Sequence, residues 1–114
     1  MSHLTILPTV LHDADLLAAT LVSFGLFPEP QGLLETFGEE PRAVLLRVAF
    51  ADGLMVGWER AADGSLALVG DLQRLSRSQQ LPSLLGRITR AYAARQALAE
   101  AAARMPDALI ELGA

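Results

Sequence analysis

Apolar and polar positions alternate, then recur at helical spacing, in a pattern that predicts six elements. Residues 3–9 place Leu4 and Ile6 on one side of Thr5, Leu7 and Thr9, a short first strand kept near a sheet edge by Pro8. Asp13 then suits the N-cap of a helix whose Leu16, Leu17, Leu21 and Phe24 recur at helical spacing. Asp15 favours its first turn, and Gly25 suits the left-handed position that ends it. From Leu26 to Arg42 prolines, glycines and the acids Glu29, Glu35, Glu39 and Glu40 predict a long loop, with one helical turn at Leu33 to Phe37.

Three β-type runs follow, Ala43 to Phe50, Leu54 to Arg60 and Ser65 to Val69, separated by Ala-Asp-Gly at 51–53 and again at 62–64. The pairing register follows from the side chains. A two-residue Asp-Gly turn would set Leu46 opposite Glu59, a carboxylate among aliphatics. A three-residue turn with a left-handed glycine instead pairs Phe50 with Leu54, Val48 with Val56 and Leu46 with Trp58. Applied to the second turn, it pairs Trp58 with Leu68 and Arg60 with Leu66. One face then carries Val44, Leu46, Val48, Phe50, Leu54, Val56, Trp58, Leu66 and Leu68, the expected core. The opposite face carries Leu45, Arg47, Ala49, Met55, Gly57, Glu59, Ala67 and Val69.

After Gly70-Asp71 a polar connection runs to Leu81. Pro82 suits the first turn of an alanine-rich helix that continues through Leu84, Leu85, Ile88, Tyr92 and Leu98 to about Arg104. Ala108 to Leu112 forms a short C-terminal strand or a strap. The expectation is one α+β domain over residues 1–114, in the order β-α-β-β-β-α. Its four-stranded, mostly antiparallel sheet has both helices packed on one face.

Composition narrows the chemistry. The chain of 114 residues is 52% hydrophobic and contains no cysteine, which excludes disulfides, thiol nucleophiles and thiolate metal sites. All nine basic residues are arginine, so Schiff-base chemistry and a P-loop lysine are excluded as well. The apolar stretch from Leu16 to Phe27 is shorter than the ~18 residues of a membrane span. The start lacks the basic and apolar segments of a secretory signal, which predicts a cytoplasmic protein without a membrane role. Net charge is −4 but uneven: residues 1–71 hold ten acids against Arg42, Arg47 and Arg60, whereas residues 72–114 hold six arginines against three acids.

Four stretches together resemble a known family. Met1-Ser2-His3-Leu4, an aspartate-led helix ending in Phe24-Gly25, the run Leu68-Val69-Gly70-Asp71-Leu72-Gln73, and Arg87-Ile88-Thr89-Arg90-Ala91-Tyr92-Ala93-Ala94-Arg95 are similar to a small cyanobacterial and plastid family named hypothetical chloroplast reading frame thirty-five. The resemblance runs from Met1 to about Ala103. Residues 26–60 match loosely, and the tail after Met105 is shorter than the family's. The resemblance implies a similar fold and a cytoplasmic or stromal setting. The family has no assigned activity, so it implies no mechanism and no cofactor.

Catalytic candidates are sparse. His12, Asp13 and Asp15 straddle a helix start where Asp13 has a capping role, so no metal site is expected there. No serine, histidine and acid form a recognisable nucleophilic motif, and no enzyme is expected. The arginines stand out more: Arg74, Arg77, Arg87, Arg90 and Arg95 lie between Leu72 and Ala99 without an acid. Helical rotation sets Arg95 in the apolar stripe of the second helix, where its charge needs a partner. Asp71 is the leading candidate, and Tyr92, one turn earlier, could complete a polar niche of Asp71, Tyr92 and Arg95. The resemblance implies an aspartate and a polar or basic residue at the same two positions.

Two functions from different classes follow. One is a non-catalytic protein-interaction or assembly module, docking a protein partner or a second copy through the open face at Leu45, Met55 and Val69 or through Arg87 and Arg90. The other is RNA binding by the arginine-rich second helix.

Overall fold

The computed structural model describes residues 4–35, 40–51 and 53–104. It is a mixed α+β fold with an antiparallel sheet. The elements are β1 (Leu4–Leu7), α1 (Ala14–Ser23), β2 (Glu29–Pro30), β3 (Leu33–Leu34), β4 (Arg42–Ala43), β5 (Leu46–Ala49), β6 (Met55–Arg60), β7 (Leu66–Asp71), α2 (Leu72–Arg77) and α3 (Leu81–Arg104). The main sheet has five strands in the order β1-β7-β6-β5-β2, every neighbouring pair antiparallel. The expected four strands are all present, with β1 at an edge, and β2 extends the other edge. The loop expected over 26–42 therefore contains strand: β3, where a helical turn was expected, pairs with β4 in a separate hairpin. The connection after Asp71 forms a third helix, α2. The expected C-terminal strand lies outside the described residues.

The deduced register is the observed one. Leu46 faces Trp58, Val48 faces Val56, Trp58 faces Leu68 and Arg60 faces Leu66. Phe50 N–H donates to Leu54 O at 2.9 Å. Gly53 and Gly64 have φ of 84° and 88°, the left-handed conformation that the three-residue turns require. The helix signals hold too. The Asp13 carboxylate accepts from Asp15 N and Leu16 N, and Gly25, at φ 79°, closes α1 while Leu26 N–H returns to Leu21 O at 3.1 Å.

Leu17 and Leu21 of α1 and Ile88 and Tyr92 of α3 pack on Leu46, Val48, Val56, Trp58, Leu66 and Leu68 to form the main core. Leu75 of α2 joins it, resting over Gly70, where a Cβ would meet the leucine methyls at 3.3 Å.

One residue of that core face is placed differently. Leu45 N–H donates to Trp58 O at 2.8 Å although Leu46 is the register partner of Trp58, so two residues oppose one in the manner of a β-bulge. Upstream of this point the alternation inverts. Val44 turns to the back of the sheet and joins Leu34, Val69 and Leu4 in a second cluster, whereas Leu45 packs toward the main core.

The centre of the back of the sheet is consequently covered. The β3–β4 hairpin folds over it, leaving Ala67 2% and Val69 0% exposed. Gly57 makes this possible: a Cβ there would lie 2.6 Å from Val44 Cγ1. Two arginines clamp the hairpin. Arg42 makes a two-pronged contact with Glu59, Nε to Oε2 at 2.7 Å and Nη2 to Oε1 at 2.9 Å. Arg47 pairs with Glu29 and donates from Nη1 to Leu33 O at 2.8 Å.

Candidate functional site

The polar niche expected from Asp71, Tyr92 and Arg95 is not assembled, and each residue has separate surroundings. Asp71 caps α2: its Oδ1 accepts from Gln73 N at 2.9 Å and Arg74 N at 3.2 Å. Tyr92 is buried, and its hydroxyl accepts from His12 N at 3.1 Å and Asp13 N at 2.9 Å, tying α3 to the start of α1. Arg95 is exposed. The apolar stripe of α3 is buried as far as Tyr92. The core ends there, so the next positions on the same side face water.

Asp71→Ala should cost about 1 kcal/mol, the usual value of an N-cap, and not the 2–4 kcal/mol of an abandoned buried ion pair. A double-mutant cycle of Asp71→Ala with Arg95→Ala, read by urea denaturation, should be additive within about 0.5 kcal/mol.

Arg60 and Asp63, in β6 and the β6–β7 turn, also have structural roles. Arg60 Nη1 donates to His12 O at 2.5 Å and Gly64 O at 2.8 Å, fastening the β6–β7 turn to the chain entering α1. The Ser65 hydroxyl and Ser65 N–H both donate to Asp63 Oδ1, at 2.5 and 2.9 Å. Those two bonds hold the Asp63 carboxyl below its ordinary value, and the charge of nearby His12 acts in the same direction. A depressed carboxyl pKa contributes stability above the unfolded value and loses it as pH falls through the folded one, so this contribution fades only in acid. Among the described residues no three His, Cys, Asp or Glu side chains cluster as a metal site. No helix among them is long and apolar enough to cross a membrane.

The expected interaction surface is divided. Val69 is fully buried under the hairpin and Leu45 is half-buried, while Met55 is exposed. The face expected to be open is therefore not a continuous surface, because Arg47 and Glu59 anchor a cover over it. Gly57, a glycine inside a strand, was the available signal of this close approach.

All five arginines between Leu72 and Ala99 are exposed. Arg87 lies over the Phe24 ring at 5.2 Å, and Arg90 folds back beside Gly86. Arg74 and Arg77 line a cleft of about 280 Å³ with Ser78, Gly53 and Leu54.

The other salient feature is α3 itself. Its buried residues are Leu81, Ile88 and Tyr92, and from Ala93 to Arg104 every residue is exposed except the half-buried Ala102. Half of a 24-residue helix thus stands clear of the core. Composition explains why it stays helical: the packed half supplies the nucleus, and alanine is the best helix former.

Together these features define a mixed α+β fold with an antiparallel sheet, a hairpin over the centre of its back face and a projecting helical arm. In comparisons with known proteins the chain matches no family model, no curated protein and no solved structure.

Proposed function

We propose that this protein is a non-catalytic, cytoplasmic assembly module that self-associates through the projecting half of α3. The observation that carries this reading is the end of burial at Tyr92, with twelve further helical residues beyond it. Ala94, Leu98, Ala101 and Ala102 share one side of that segment by helical spacing. Leu98 is 60% exposed, an apolar knob between alanines small enough for two helices to approach closely.

A second copy is the occupant that suits this face. In an antiparallel pair centred on Leu98, Arg95 falls opposite Ala101, so like charges do not meet. An arm of this length spans only about 18 Å, so the interface falls below the ~1,200 Å² of stable complexes. The association is therefore weak and concentration-dependent. The RNA reading has less support, because Arg87 is engaged with Phe24 and no aromatic on the arm offers a stacking surface.

Sedimentation velocity over a concentration series tests the proposal. The wild type should shift from monomer toward dimer, Leu98→Glu should remain monomeric, and Met55→Glu, on an exposed residue of the sheet, should behave as wild type. A wild type that is monomeric throughout, or dissociation by Met55→Glu, would reject the arm as the interface.

A further inference from the structure

We propose that a notch in the main sheet, where β5 peels away from β6, binds an extended peptide segment with small uncharged side chains, held by the Arg60 backbone and the Gln31 carboxamide. The notch originates in the bulge at Leu45. Pairing of β5 with β6 ends at Leu46 and Trp58, while β6 runs on beside β7 to Arg60. The segment upstream of the bulge, β4, pairs with β3 instead. The end of β6 therefore lacks a strand neighbour on that side among the described residues.

Alternation along the ladder decides which groups are left open. Ala61 N–H donates to Ser65 O on the β7 side, and Trp58 O accepts from Leu45 N–H on the β5 side. Arg60 is in step with Trp58 and out of step with Ala61, so its N–H and C=O point to the β5 side, into the place that β5 has left. A donor and an acceptor at strand spacing on an open edge are the groups with which an added strand pairs.

The surroundings define the occupant. The space is about 380 Å³, above the ~300 Å³ lower end for small-ligand sites, and Leu33, Ala43, Val44 and Leu45 line it beside Gln31 and Glu59. Leu33 is 54% exposed, apolar surface that a ligand side chain would cover. The charged groups have other partners. Glu59 is held by Arg42 in a two-pronged contact, and the Arg60 guanidinium reaches to His12 O and Gly64 O. An uncharged occupant suits this lining.

Gln31 supplies a second polar contact. It stands at φ 55°, a left-handed conformation that glycine would take without strain. Its backbone N–H donates to Leu45 O, but its carboxamide makes no hydrogen bond among the described residues. That carboxamide brings both donor and acceptor capacity to the notch.

The probe for the test is N-acetylvaline N-methylamide, whose valine offers one N–H and one C=O to Arg60 and an apolar side chain to the lining. Followed by amide NMR, it should produce a saturable shift at the Arg60 amide, which exchanges quickly in the protein alone and slows when the probe is bound. The ester analogue, with oxygen in place of the valine N–H, should bind about three- to tenfold more weakly, the effect of losing one hydrogen bond. Gln31→Gly, which keeps the left-handed backbone and so the fold, should weaken the amide probe by a similar factor. Equal binding of amide and ester, or unchanged binding to Gln31→Gly, would overturn the proposal. An Arg60 amide already protected without probe, or one whose shift follows protein concentration alone, would overturn it as well, because the chain itself or a second copy would then fill the notch.

Discussion

Replacing Trp58 with alanine is expected to destabilise the protein by about 3–5 kcal/mol, the range for removing a buried aromatic from a packed core. Trp58 is 0% exposed and sits in the middle strand of the sheet, between Leu46 on β5 and Leu68 on β7. Its loss leaves a cavity bounded by two sheet neighbours and the helices above, which cannot all close in. Trp58→Phe should cost much less. The indole Nε1 is buried without a hydrogen-bond partner among the described residues, so phenylalanine keeps much of the apolar contact and removes an unsatisfied donor. Urea denaturation followed by circular dichroism measures both, since the chain's one tryptophan is itself altered. A cost below about 1 kcal/mol for Trp58→Ala would contradict the placement of Trp58 in the core.

Tyr92→Phe should cost about 1–3 kcal/mol, a large effect for the loss of one oxygen. The phenol accepts from two backbone groups, His12 N and Asp13 N, at the entry to α1. Phenylalanine fills the same space but leaves both donors without that acceptor. The change should appear as a lower urea midpoint at unchanged m-value, with faster exchange of the His12 and Asp13 amides. An unchanged midpoint would show that those amides find equivalent partners in water, and that the α1–α3 contact rests on packing alone.

The parts of the fold legible in the sequence are those governed by nearest neighbours along the chain. The repeated Ala-Asp-Gly turn and the need to keep Glu59 out of the aliphatic row determine the register of β5, β6 and β7, while Asp13 and Gly25 bound α1. The β3–β4 hairpin was not legible, because its strands are two residues each and are held by distant partners, Arg42 on Glu59 and Arg47 on Leu33 and Glu29. The bulge at Leu45 inverted the expected face of Val44 for the same reason: an extra residue interrupts the alternation on which the reading depends.

The candidate site was legible only in part. The acid-free arginine run is visible in the sequence and exposed in the structure, but its division into a cleft at Arg74 and Arg77 and a stacked Arg87 depends on the path of α2. Periodicity along α3 could not reveal where the core ends. The stripe continues to Ala102, whereas burial stops at Tyr92 because α1 and the sheet offer nothing further to pack against.

Amide hydrogen exchange along α3, followed as a function of protein concentration, tests whether the arm of α3 is an interface between copies. Amides from Leu85 to Tyr92 should be protected at every concentration, because the core holds that half of the helix. Those from Ala93 to Arg104 should exchange quickly in dilute solution and gain protection as concentration rises. Protection in the arm that does not change with concentration would rule out self-association through it.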